Sequence, residues 1–337
     1  MNTATVPPPI ALIGMMTGYW VSKSICVAAQ LRLADLLRDG PRTSEDLANA
    51  CDAHAPSVFR LLRGLASVGV FREVEDRRFA LTPLAELLRS DISGSMRALA
   101  LMYGGEQYRA WDDAFHSIRT GQPAFDHVYG ASYFEFFAKN PEPAAIFDEA
   151  MTGWTTQVAN AVSAAYDFSN AGTVIDVGGG EGLLLATILR DNPSTRGILF
   201  DLPHVIARAG EGMERTEFSD RLQATAGDFF VGLPEGGDVY LLAQILHDWD
   251  DDRSRAILES CHRAMRPGGK ILIVEQVIPP GNEQFFGKWL DLHMLILLAG
   301  RERTEDEYRE LFQSAGFHLT SVIPTSSGAC IVEGIKT

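Results

Sequence analysis

Apolar residues recur at helical spacing through the first half of the chain and gather into short β-branched runs through the second, so two kinds of architecture are expected in series. After Pro7-Pro8-Pro9, the segment from about Ile10 to Arg38 predicts one or two helices, ended by Gly40-Pro41. Thr43-Ser44-Glu45-Asp46 is a helix start. Pro56 opens a further helix that places Val58, Leu61, Leu62, Leu65 and Val68 on one face before Gly69 stops it. Residues 70–74 and 79–82, joined through Asp76-Arg77-Arg78, predict a short hairpin. Helix, helix and hairpin in that order form a winged-helix pattern. Residues from about Ser90 to Tyr166 read as helical and rich in aromatic side chains, a subset of which could line a flat apolar pocket.

From Thr173 onward the strands TVIDV, GILFD, LQATAGD, DVYLLA and KILIVEQ alternate with helical stretches, the sequence form of a doubly wound parallel sheet. Two later runs, near 317–323 and 329–335, flank Ser326-Ser327-Gly328 and predict an antiparallel hairpin at the sheet edge. The count is seven strands. Three regions are expected: a helical, winged-helix-like domain over 1–95, a helical linker that contributes to a substrate pocket over 96–165, and an α/β catalytic domain over 166–337.

Composition narrows the function. The 337 residues are 46% hydrophobic and 22% charged, an ordinary globular balance, and no stretch reaches the ~18 consecutive apolar residues of a membrane span. The N-terminus lacks a basic region ahead of an apolar core, so the chain is expected in the cytoplasm. A net charge of -15 repels phosphate backbones and anionic lipid surfaces, which argues against nucleic acid and membrane partners. It also weighs against reading the winged-helix pattern as a DNA reader. Arg60, Arg63, Arg72, Arg77, Arg78 and Arg89 are balanced by acids, and a packing or dimerisation module fits better. Cys26, Cys51, Cys261 and Cys330 are scattered and form neither a zinc nor a disulfide framework.

The strand 174–177 runs into Gly178-Gly179-Gly180-Glu181-Gly182 and then a helix near Leu183. A dinucleotide fingerprint needs a third glycine where this chain has Leu183 or Leu185, so the nicotinamide motif fails in both registers. Asp176 precedes the glycines, Asp201 ends the next strand, and Asp228-Phe229 is placed at the end of the third. A carboxylate such as Asp201 suits a ribose diol. Asp228 with Phe229 suits an adenine amino group and ring face. An adenosine without a phosphate cradle points to S-adenosylmethionine, bound by Asp176, Gly178, Gly180, Asp201, Asp228 and Phe229 at the carboxyl ends of successive strands.

The fourth strand leads into Gln244-Ile245-Leu246-His247-Asp248-Trp249. This signature, with DVGGGEG, RPGGKILIVEQVIP and LAGRERTEDEY, resembles the plant-type and bacterial small-molecule O-methyltransferases. Stretches such as TGYWVSK, RLADLL and MYGGEQYRAW resemble bacterial phenazine and antibiotic-pathway members in particular. The resemblance covers nearly the whole chain and implies a class I methyltransferase sheet, an N-terminal dimerisation domain and a homodimer. It implies His247 as general base with Glu275 and Glu302 flanking and orienting it, and Asp248 on the substrate. Ala243-Gln244 stands where several relatives carry a lysine or arginine, with Gln244 on the cofactor side. For the acceptor it implies Phe134, Phe147, Met151, Trp154, Asp291, Met294 and Leu298. Asp250, Asp251 and Asp252 fit the first turn of a helix rather than a metal site, and no metal is expected. The expected reaction is methyl transfer from S-adenosylmethionine to a hydroxyl of a small aromatic, phenolic or N-hydroxy heteroaromatic. N- or C-methylation, or a member diverged to hydroxylation or decarboxylation, stay open as alternatives, as does a winged-helix regulator that senses adenosine-containing ligands.

Overall fold

The computed structural model describes residues 6–213 and 219–337. Contacts divide them into two compact units: one runs to Arg109 and takes in Phe137–Trp154, the other holds Ala110–Phe136 and Thr155–Thr337. The expected linker over 96–165 is therefore shared out between the units rather than standing alone. Its helix Pro141–Ala165 supplies residues to both.

In the first unit, Thr43 caps Ser44–Ala50 by accepting from the Asp46 amide, and Ala55–Ser67 buries Val58, Leu62 and Leu65. Val68 lies past the helix and is exposed, because the turn to Gly69 carries it off the buried face. The strands Phe71–Val74 and Arg78–Leu81 pair as the expected hairpin, and Arg42–Thr43 adds a third strand. These elements close on a core of Leu33, Leu47, Leu62, Phe71 and Phe79. The segment before them is three helices, Pro8–Met16, Gly18–Gln30 and Leu33–Leu36. Pro8–Met16 buries none of its residues, and the stretch Pro8–Gln30 is long and apolar enough by composition to cross a membrane, contrary to the expectation from consecutive apolar residues.

The second unit carries a seven-stranded sheet in the order Phe317–Pro324, Cys330–Lys336, Lys270–Glu275, Val239–Ala243, Thr173–Val177, Arg196–Asp201 and Leu222–Ala226. The last five are parallel to one another, and the first two form an antiparallel hairpin at one edge. Central strands such as Thr173–Val177 and Val239–Ala243 are buried almost throughout, as strands covered on both faces must be. Their core includes Ile175, Val177, Tyr240, Leu242, Ile271, Ile273 and Phe312. A feature absent from the sequence expectations joins Val277–Ile278 to Arg303–Thr304 as two parallel strands. That pairing ties the chain just after Glu275 to the chain just after Glu302.

Candidate active site

At the carboxyl end of Thr173–Val177 the chain turns through three glycines with left-handed backbone, Gly178, Gly180 and Gly182, at φ 71°, 60° and 79°. A side chain at any of them would be strained. Gly179 also has no room, since a Cβ there would fall 2.6 Å from the Asp176 carboxyl carbon and 2.5 Å from Leu199. Asp176 thus lies beneath the turn rather than at its mouth, fully buried, with neither carboxylate oxygen hydrogen-bonded among the described residues. Burial, then the charge of Asp201, raises it to about 7. The mouth belongs to Asp201, which accepts from the Gly180 amide at 2.9 Å and the Leu202 amide at 2.6 Å and keeps further lone pairs for hydroxyl donors. Asp228 sits two residues past its strand, exposed, and accepts from the Phe230 amide at 2.8 Å. Phe229 is half-buried and meets Phe230 and Trp249 edge-on.

The glycine turn adjoins the segment after Val239–Ala243, for a Cβ on Gly178 would fall 2.5 Å from the Ile245 Cδ1. Gln244 enters that segment with φ 56°, an uncommon backbone for a residue with a side chain, and its amide donates to the Val274 carbonyl at 3.0 Å. A single 3-10 turn, Leu246–Asp248, follows. One Glu275 carboxylate oxygen accepts from the successive amides of Ile245, Leu246 and His247 at 3.1, 2.6 and 3.1 Å. The other accepts from the Tyr308 hydroxyl. Glu275 therefore shapes the backbone that carries His247 and makes no hydrogen bond to the ring.

The ring is held by Glu302, whose Oε1 lies 2.7 Å from Nδ1, while Nε2 lies 3.5 Å from the Asp248 carboxylate. Glu302 stands one residue before the Arg303–Thr304 strand rather than in a helix. The helix Glu305–Ser314 begins after Thr304, which forms a capping box with Glu307. Asp291 fixes Glu302 in turn by accepting from its amide at 2.9 Å, so this acceptor candidate already has a positioning role. Burial alone would lower His247, but the hydrogen bond and charge of Glu302, then Asp248 and Glu275, hold it up at about 10. Asp248 is raised to about 6 by burial against the pull of His247. Glu302 is raised by burial, with His247 opposing.

Several supporting residues escaped the sequence reading. Arg303 is fully buried and donates to the carbonyls of Leu246 and Trp249, to Asp251 and to Ser254, enclosing the turn from behind. The Arg301 amide donates to the His247 carbonyl at 2.9 Å, and a Cβ on Gly300 would overlap that carbonyl. The run RERTEDEY was visible, but only as part of a family likeness. His293 lies on Phe286–Leu298 and accepts at Nδ1 from the Trp111 indole at 2.7 Å, so its own proton sits on Nε2. Burial and the charge of His247 push it down to about 4. Asp250 caps Asp251–Ala264, with Asp251 and Asp252 in the first turn.

Among the acceptor candidates, Met294 is buried and Leu298 half-buried on the helix of Asp291, and Phe134 is half-exposed in the same unit. Phe147, Met151 and Trp154 belong to the first unit, where they pack on Ala98, Leu99 and Met102.

Residues 108–318 match the model of an O-methyltransferase domain, and residues 13–91 that of an O-methyltransferase dimerisation domain. The chain is 54% identical to a phenazine O-methyltransferase of Lysobacter antibioticus, across 98% of this chain and 97% of that one. It is 41% identical to the 3-amino-4-hydroxybenzoate 4-O-methyltransferase of Streptomyces cremeus, across 92% and 86%. A crystal structure of CalO1, a methyltransferase of calicheamicin biosynthesis in its S-adenosylhomocysteine-bound form, superposes with a TM-score of 0.90 at 35% identity over the whole of both chains.

Proposed function

The chain belongs to the O-methyltransferase family, and on that premise we propose that it methylates a hydroxyl of a small aromatic natural product, phenolic or N-hydroxy heteroaromatic, with His247 taking the acceptor's proton. The observation that carries this reading is the imidazole clamped at Nδ1 by buried Glu302, on a turn that touches the glycine loop. S-adenosylmethionine supplies, when bound, the electrophilic methyl group and its neutral thioether leaving group. The donor set fits it: left-handed glycines allow close backbone approach, Asp201 has lone pairs to spare at the strand end, and Phe229 offers an aromatic face.

The chain's own task is to position the acceptor oxygen and manage its proton. With Nδ1–H donated to Glu302, Nε2 is the atom left to receive. A phenol ionises near ~10, and an imidazole held up at about 10 is matched to it, so the proton moves between them with little free-energy change. Below about pH 10 the resting pair is imidazolium with phenol, so one proton must first leave to solvent; the two states that remain, imidazolium with phenolate and imidazole with phenol, are one overall protonation state, and either serves. Asp248, close to Nε2, contacts the acceptor, and Met294, Leu298 and Phe134 are its apolar candidates. Asp291 and Glu275 act as positioning residues through Glu302 and the backbone turn.

Incubating the protein with methyl-labelled S-adenosylmethionine and paired aromatic acceptors, one bearing only a hydroxyl and one only a ring nitrogen or amine, tests the reading. Label on oxygen is the expected result. Label on nitrogen or carbon alone would overturn the acceptor class, and Asp201→Ala is expected to abolish most of the cofactor's thermal stabilisation. The dimerisation domain and the exposed Pro8–Gln30 stretch support a homodimer, and the proposed setting is the cytoplasm.

A further inference from the structure

Between Trp111 and Tyr129 lies a side-chain group that the methyl-transfer chemistry does not use. The helix Ala114–Thr120 ends at Gly121 with φ 70°, and Pro123 starts Ala124–Tyr129. The Ala124 amide donates to buried Ser117 at 2.8 Å, which locks the turn. Its geometry lays His116 and His127 face to face, ring centroids 4.2 Å apart and planes 4° from parallel. Asp113, just ahead of the first helix, reaches the same place, 2.6 Å from Nδ1 of His127. One ligand atom from each of the three lies within 4.8 Å of the others.

We propose that Asp113, His116 and His127 form a binding site for a divalent first-row transition cation, with Zn2+ the best match. Two imidazoles and a carboxylate are ligands of borderline softness, which suit Zn2+ and neighbouring ions over Ca2+ or Mg2+. Bonds of about 2.0–2.2 Å need ligand atoms roughly 3.3 Å apart and each ring plane aimed at the ion, so binding requires the stacked imidazoles to rotate apart about their side-chain torsions, at positions that are half-buried for Asp113 and His116 and exposed for His127. The backbone is already fixed by Ser117 and Gly121, so little ordering remains for the ion to impose. Three protein ligands leave a coordination position for water. Both helices pack on Phe286–Leu298, which carries Asp291 and His293, so the ion acts as a staple behind one wall of the reaction site.

Titration calorimetry of chelator-stripped protein with Zn2+ tests the site. One ion per chain with micromolar Kd is expected, together with a rise in Tm. His116→Ala and His127→Ala should each weaken binding at least tenfold and remove the Tm rise, while methyl transfer without added metal confirms that the variants fold. Should either alanine variant fail to fold, His127→Gln provides the same readout. Absence of a Zn2+-dependent Tm rise in the wild type, or undiminished binding in both variants, would overturn the proposal.

Discussion

His247 is buried and His293 half-buried, yet one is held up at about 10 and the other pushed down to about 4. Partners make the difference: His247 faces carboxylates, while His293 accepts from an uncharged indole and feels the charge of His247. The stability that His247 contributes is complete below its unfolded value near ~6.5 and is lost as pH rises through about 10. His293 works in the opposite sense, because the unfolded chain protonates below ~6.5 while the native site stays neutral, so stability is lost as pH falls from there towards about 4. Side-chain NMR of the free protein should show His247 as imidazolium at pH 8 and His293 as neutral imidazole at pH 5.5. Glu302→Gln should bring His247 down, and a neutral His247 at pH 8 in the wild type would refute the clamp. In turnover, His247→Ala should lose roughly 10²–10⁴-fold with cofactor binding little changed. Wild-type turnover should rise towards pH 10 as the imidazolium loses its proton, and the variant's deficit should be smaller for the more acidic of two phenols, which ionises without help. An equal deficit for both phenols would rule out the base.

At the scale of elements, the reactive turn depends on contacts that carry no chemistry of their own. Gly300 lies against the His247 carbonyl, so Gly300→Ala must push the Leu246–Asp248 turn or the Arg301–Arg303 segment aside. The expected result is a loss of kcat of at least tenfold with cofactor affinity retained, read by steady-state rates beside equilibrium titration; a variant with wild-type kcat would show that the turn is not held from this side. Glu275→Gln should lower both kcat and Tm, since one oxygen anchors three amides. These supports also mark where sequence reasoning stopped. The strands were legible because β-branched runs buried on both faces have a distinctive pattern, and His247, Glu275 and Glu302 were found through family likeness. What Glu275 grips was not legible, because a carboxylate bound to backbone amides leaves no trace in the residues it binds. Asp176 looked like a ligand contact from its place before the glycines. Its burial depends on Gly179 and Leu199 closing over it, a matter of packing rather than spacing. The parallel pair Val277–Ile278 with Arg303–Thr304 is two residues long and far apart in sequence, below the reach of any periodicity.

For the molecule as a whole, the unresolved demand is apolar surface on the N-terminal helices. Ile10, Leu12, Ile13, Met15, Met16, Tyr19 and Trp20 are each at least half exposed, with Met15 at 78%. Removing such a side chain from water gains about 1 kcal/mol, so leaving all seven wet opposes solubility of a lone chain. The match of residues 13–91 to a dimerisation domain supports the proposed second copy as the cover, and the net charge of -15 disfavours an anionic membrane as the alternative. Because the second unit has its own sheet and core, weakening the association should not unfold it. Met16→Glu combined with Trp20→Glu places charges in the apolar stretch and should convert a dimer into a monomer by sedimentation, with the cofactor's thermal stabilisation retained. Deleting residues 1–30 removes the cover's own contribution along with the surface, and should give aggregates or an inactive chain. A wild-type protein that sediments as a monomer and floats with neutral vesicles would mean that lipid, not a partner subunit, covers this face. A deleted chain that stays monomeric, monodisperse and fully active would mean that neither the fold nor the activity depends on association through these helices.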